Sequence, residues 1–212
     1  MKLFTSLFLF YALSSNVAHA KEWPFKVYLD GKEIGQHTFV LNEKDGEKEL
    51  TSTAKFKVKV LFINAYNYDH VAKEKWRGDC MVSLESKTEE NSENTVVKGK
   101  LENAAFIVDI PVAKKPKARQ TLPECIMTFP YWNAKMLGQS KLLNPQTGEW
   151  LDVKINSVGN ETIEVRGQNM QAEHFRLEAT KMKIDLWYSP EREWLALKST
   201  TPEGYVITYK LQ

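Results

Sequence analysis

From Trp23 to Leu211, apolar and polar residues alternate one by one in runs that turn residues cut short. Successive side chains of a strand point to opposite faces, so this alternation is the mark of half-buried β-strands. In the clearest run, Leu50, Ser52, Ala54, Phe56, Val58 and Val60 share one face, and Thr51, Thr53, Lys55, Lys57 and Lys59 share the other. Helical spacing does not account for it. Asp30-Gly31 and Asp45-Gly46 sit between such runs and read as tight hairpin turns. Near the C-terminus, a two-residue turn at Thr180-Lys181 sets Glu178 opposite Lys183, Leu177 opposite Ile184, Arg176 opposite Asp185 and Phe175 opposite Leu186. That register pairs opposite charges and apolar partners, as cross-strand energetics prefer. Further turns at Pro190 to Glu193 and at Pro202-Glu203-Gly204 make residues 170–211 a four-strand meander. The predicted fold is all-β and mainly antiparallel. It is a strongly curved meander sheet or barrel with one or two short helical segments, because a flat open sheet of this size exposes long edges.

Two segments depart from the alternation. Ala113 to Pro123 carries Lys114, Lys115, Lys117 and Arg119 around Pro116 and reads as an exposed loop. Pro130 to Gly138 reads as a short helix or turn, begun at its proline and ended at its glycine.

The first twenty residues fit a cleaved export signal: Lys2, an apolar run from Leu3 to Leu13, and the small-x-small site Ala18-His19-Ala20. Cleavage after Ala20 leaves residues 21–212 as one β-rich domain. The apolar run is about half the roughly 20 residues that span a bilayer, and no cysteine follows the site to carry a lipid. The expected product is therefore an exported protein that is not transmembrane. The chain has 29 Lys and Arg against 27 Asp and Glu, and loss of Lys2 leaves a near-neutral balance that argues against nucleic acid as a partner. The two cysteines, Cys80 and Cys125, are most simply a disulfide in an oxidising compartment. Closing a loop of about 46 residues removes roughly 4 kcal/mol of unfolded-state freedom. The rival readings, a nucleophile or a redox couple, lack both Cys-x-x-Cys spacing and a glycine-rich setting.

Cys125-Ile126-Met127-Thr128-Phe129-Pro130-Tyr131-Trp132-Asn133 and Leu142-Leu143-Asn144-Pro145-Gln146-Thr147-Gly148-Glu149 carry a resemblance. So do Leu61-Phe62-Ile63-Asn64-Ala65-Tyr66 and Ile184-Asp185-Leu186-Trp187-Tyr188-Ser189. The chain resembles the domain-of-unknown-function family numbered six-one-three-four, exported Gram-negative proteins akin to a broader family of exported β-rich proteins. The resemblance implies a periplasmic location and supplies no catalytic residues.

On the strand from Tyr66 to Arg77, one face carries Tyr66, Tyr68, His70, Ala72, Glu74 and Trp76. It is aromatic with one base and one acid, which stand roughly 13–14 Å apart along a strand and do not share a proton. Tyr66, Tyr68, His70, Glu74 and Trp76, with Tyr131, Trp132 and Trp187, are candidates to line an apolar ligand pocket, Tyr131 and Trp132 closing its mouth. The opposing reading is that the aromatics fill a solid core. Lys55, Lys57, Lys59, Lys73, Lys75 and Arg77 form two basic stripes expected on neighbouring strands. They are candidates for a patch facing anionic head groups, or for an ordinary solvated edge. The mature histidines, His37, His70 and His174, show no metal-ligand spacing, and no cofactor fingerprint or nucleophile elbow occurs.

The leading expectation is a non-enzymatic periplasmic binding or carrier module for a lipid-like or apolar ligand. The alternatives are an envelope interaction or assembly protein acting through its surface, with an envelope protein as partner, and a hydrolase. For the cysteines, thiol titration of the denatured, unreduced protein is expected to find none, whereas two free thiols contradict the bond.

Overall fold

The computed structural model describes residues 19–60, 63–110, 118–180 and 182–212. The expected signal segment lies outside them except for His19 and Ala20, with which the first strand begins. The strands of the first half are β1 (His19–Leu29), β2 (Lys32–Lys44), β3 (Glu47–Val60), β4 (Ile63–Arg77), β5 (Cys80–Glu90), β6 (Glu93–Glu102), β7 (Ala105–Ile110) and β8 (Ala118–Pro123). Those of the second are β9 (Lys141–Leu143), β10 (Trp150–Val165), β11 (Gln168–Ala179), β12 (Met182–Tyr188), β13 (Trp194–Thr200) and β14 (Val206–Leu211). They form one antiparallel 14-stranded sheet in the order β8-β7-β6-β5-β4-β3-β2-β1-β14-β13-β12-β11-β10-β9.

Strands adjacent in sequence pair throughout, except β8 and β9, and the pairing of β1 with β14 joins strands distant in sequence. There Phe25 lies opposite Leu211 and Leu29 opposite Ile207. Asp30-Gly31 is a tight turn with φ 47° and 81°, and Asp45-Gly46 repeats it at 53° and 78°. Positive φ at both central residues matches the right-handed strand twist. The expected register across the β11–β12 hairpin is the one found, with Glu178 opposite Lys183 and Arg176 opposite Asp185. At Gly35 the strands approach so closely that a Cβ would lie 2.0 Å from the Lys55 carbonyl oxygen. Only glycine fits there.

The sheet does not close. Its edges, β8 and β9, are bridged by residues 124–140, which enter the concave side. Ile126, Met127 and Thr128 are buried. The Met81 amide donates to the Ile126 carbonyl and the Leu143 amide to that of Met127, at 3.1 and 2.9 Å. A Cys80–Cys125 disulfide ties this segment to the start of β5. The bridge contains a 3-10 helix, Ala134–Gly138. It ends at the expected glycine but does not begin at Pro130. Asn133 caps it instead, its side chain accepting from the Lys135 amide, while Pro130 accepts from the Asn133 amide in a preceding turn.

Two expectations are corrected here. Part of the supposed loop, Ala118–Pro123, is edge strand β8, which pairs with β7 and places Arg119 opposite Asp109. Lys114, Lys115 and Lys117 lie outside the described residues. The basic stripes also do not face each other. In the β3–β4 register Lys55 meets Asp69, Lys75 meets Glu49 and Arg77 meets Glu47, with ion pairs at 3.1, 2.6 and 3.2 Å. Lys73 stands between Thr51 and Glu85, and Lys57 opposite Asn67. The side chain of Lys59 lies outside the described residues. Alternating charge is the cheaper arrangement on a solvated face.

Among the described residues, no helix is long and apolar enough to cross a membrane.

Candidate functional site

The concave face is where bulk and smallness are unevenly shared. In one cross-strand row, His37 of β2, Ala54 of β3 and His70 of β4 are neighbours; in the next, Phe39, Ser52, Ala72 and Ser86 are. Ala54 and Ala72 are buried where flanking rows carry Phe56, Tyr68, Leu50 and Glu74. Small side chains beneath aromatic ones leave depth. Above them lies a cavity of about 580 Å³, walled on the far side by Met182, Ile184, Leu197, Ile207 and Tyr209 from β12–β14. Its volume falls within the usual range of small-molecule sites.

Of the sequence-predicted pocket residues, Tyr66, Tyr68, His70, Glu74 and Tyr131 line this cavity. Trp76, Trp132 and Trp187 do not. Trp76 is buried below the cavity and meets Trp132 edge to face at 5.7 Å. Trp132 faces a separate groove with Lys48, Lys135 and Arg192. Trp187 lies on the opposite face of β12, because pleating sends it away from Ile184 and Leu186. There it stacks on His174 at 4.6 Å, under the Lys198 ammonium.

His37, Ser52, Phe56, Glu90, Tyr205 and Tyr209 also line the cavity and were missed as site residues. The signal for Ser52 was present in the sequence: with Ala54 it interrupts an otherwise bulky inward face.

The polar groups of the wall are satisfied, as buried groups generally are. His70 Nδ1 is 2.8 Å from Thr88 Oγ1. His37 bridges Ser52 Oγ and the Tyr209 hydroxyl, at 2.7 and 3.2 Å. Glu74 accepts from Trp76 Nε1 at 3.0 Å and from Thr128 Oγ1 at 2.9 Å. As expected, His70 and Glu74 each have their own partners.

Burial sets their ionisation. Loss of solvent holds His37 down at about 3, aided by the positive charge of His70, and holds His70 at about 4. Burial pushes Glu74 up to about 7 against the opposing hydrogen bonds from Thr128 and Trp76. Tyr66, Tyr68, Tyr131 and Tyr209 are all raised, chiefly by burial. At neutral pH the wall therefore presents two uncharged imidazoles and neutral phenols. A histidine held near 3 is a poor general base, so the Ser52–His37 contact does not activate the serine.

The remaining histidine belongs to a different cluster. His174 Nε2 and the Arg176 guanidinium donate to Asp185 Oδ1 at 2.9 and 2.8 Å on the outer face. Burial alone would raise Asp185; hydrogen bonds from His174 and Arg176 and the charges of Arg176 and Lys198 hold it below the usual carboxylate range. The cluster is an ion-pair network across β11–β13. Among the described residues, no three His, Cys, Asp or Glu side chains are grouped to hold a metal.

The family model for a domain of unknown function, DUF6134, matches residues 25–212. No curated protein matches the chain significantly. The fold is similar to the crystal structure of a beta-barrel-like protein of domain of unknown function DUF1849 from Brucella abortus. The two are 10% identical, with 92% of this chain and 96% of that one covered at a TM-score of 0.64. At that identity the likeness is one of fold.

The Glu74 carboxyl generates a prediction about pH. Its folded value exceeds the unfolded one, so its contribution to stability is complete below about 4.5 and is lost as pH rises to about 7. His37 and His70 act oppositely: their contribution grows from about 3 to 4 up to the unfolded value of 6.5. In Glu74→Gln the histidine rise is expected to remain and the fall toward neutrality to vanish. Unfolding free energies measured across this range should show the wild type losing about 3 kcal/mol relative to the variant. A difference that does not change with pH contradicts the buried, proton-holding Glu74.

Proposed function

This chain belongs to the family described as Domain of unknown function (DUF6134), and we propose that it is a binding or carrier module enclosing an apolar, lipid-like ligand in the cell envelope. The observation that carries this reading is the cavity of about 580 Å³. Its wall is mainly aromatic and aliphatic, with a few fixed polar groups, the composition that favours an apolar body held in one orientation. A periplasmic location is supported by the export-signal pattern of residues 1–20 and by the Cys80–Cys125 disulfide, which suits an oxidising compartment.

The surface offers less. Among the described residues the exposed large apolar side chains are Val71, Val158 and Tyr205. Val71 and Val158 stand on different strands, and Tyr205 belongs to the cavity wall. Isolated apolar residues of this kind are ordinary on a protein surface.

The test fills the cavity from its floor. Wild-type protein is expected to take up the apolar fluorophore N-phenyl-1-naphthylamine with enhanced emission. Ala72→Phe should weaken uptake about tenfold or more while keeping the β-sheet circular dichroism, at a stability cost of about 1–3 kcal/mol for overpacking. Val71→Phe, one residue away on the outer face, should bind as the wild type does. Absence of uptake by the wild type, or undiminished uptake by Ala72→Phe, contradicts the reading.

A further inference from the structure

The cavity and the outer surface carry different charge. Pleating sends Lys55, Lys57, Lys73 and Lys75 outward, and no Lys or Arg is among the described residues that line the cavity. Its ionisable acids are Glu74, Glu90 and Glu203. Glu74 lies deep. Glu90, at the end of β5, and Glu203, in the β13–β14 turn, are both exposed and so mark the rim, although they come from opposite arms of the sheet. Neither has an ion-pair partner among the described residues. Glu90 stands close enough to the Tyr66 hydroxyl to raise it further, beyond the effect of burial.

The rings at this end are arranged as a wall. Tyr68 stacks on Phe56 at 5.2 Å and on Tyr66 at 6.3 Å, each pair within 9° of parallel. Tyr209 meets Phe56 edge to face at 6.5 Å. Tyr205 lines the same cavity and is 54% exposed, so its ring stands at the rim. Ring faces carry negative quadrupole density and attract cations, most strongly where water is excluded. An anionic head would meet carboxylates and ring faces with no counter-charge.

The interior then narrows the rest of the ligand. Along β4 the lining residues run from half-buried Tyr66 at the rim to buried Glu74, a path on the order of 26 Å for a strand. Most of it is apolar. We propose that the ligand is a long-chain amphipath with a positively charged ammonium head, seated among Phe56, Tyr66, Tyr205, Glu90 and Glu203, its chain running inward over Ser52 and Ala72. This rests on the reading of the cavity as a ligand site and names the chemistry that site accepts.

Three probes of equal chain length separate the possibilities: dodecyltrimethylammonium, dodecanol and dodecanoate. Each is used below its micelle concentration at neutral pH and low salt, to displace the naphthylamine fluorophore from the full protein. The ammonium is expected to displace it at about tenfold lower concentration than the alcohol, with dodecanoate weakest. In the double variant Glu90→Gln, Glu203→Gln the ammonium's advantage over the alcohol should shrink severalfold, to what the ring faces alone supply. Dodecanoate binding as well as the ammonium, or a cation preference undiminished in the double variant, overturns the proposal and leaves the cavity reading standing. If neither the fluorophore nor any amphipath is taken up, the cavity reading falls with it.

Discussion

The pairing of β1 with β14 is the contact on which the remaining architecture depends. Without it the meander is two open sheets, β1–β8 and β9–β14, each with two exposed edges and an uncovered apolar face. With it, Phe25 packs on Trp194 at 4.4 Å and on Tyr209 at 5.8 Å, so the seam is also an aromatic core. The Asp30 amide donates to the Val206 carbonyl at one end of the seam, and the Gln212 amide to the Pro24 carbonyl at the other, both at 2.9 Å. The partners are separated by almost the whole chain. Their closure entropy must be met before either half gains from the other, which places this pairing among slowly formed contacts.

Joining the arms does not fill the space between them. The inward face of β3 and β4 could have been bulky throughout; instead Ser52, Ala54 and Ala72 interrupt it, and the far wall does not reach across. The bridging segment fills one end, where Trp76, Trp132 and Met136 pack, and stops with Tyr131 against the cavity. Keeping polar groups in such a wall costs free energy unless each is partnered. His37, His70 and Glu74 are partnered, and their ionisation is displaced toward the uncharged forms. The cations are held on the other side of the pleat, where Lys55, Lys75 and Arg77 meet acids across strands. A chain of almost balanced charge thus acquires an interior with carboxylates and no Lys or Arg lining it among the described residues.

Much of this was legible because a strand's period is short and its consequences local. The inward faces of β3 and β4, the turns at Asp30-Gly31 and Asp45-Gly46, the β11–β12 register and the disulfide followed from alternation, turn chemistry and cysteine count. What failed depended on partners distant in sequence. The basic stripes looked unopposed until the β3–β4 register, shifted at Val58, set Glu47, Glu49 and Asp69 against them. Trp187 looked like a pocket residue because its type suits one, whereas the pleat of β12 turns it outward. The cavity itself depends on β13 and β14 standing opposite β3 and β4, and no local pattern specifies that distance. Phe56, Tyr209 and Glu90 became site residues only through it.

The interior is hollow above Ser52 and Ala72. Diffraction from crystals of the disulfide-bonded protein under xenon pressure tests it most directly, since apolar cavities of this kind take up the gas. Xenon density between Leu50, Ala72, Ile184 and Leu197 is the expected result. Continuous side-chain density across that space, with Tyr131 or Phe39 folded into it and no xenon, would contradict the account.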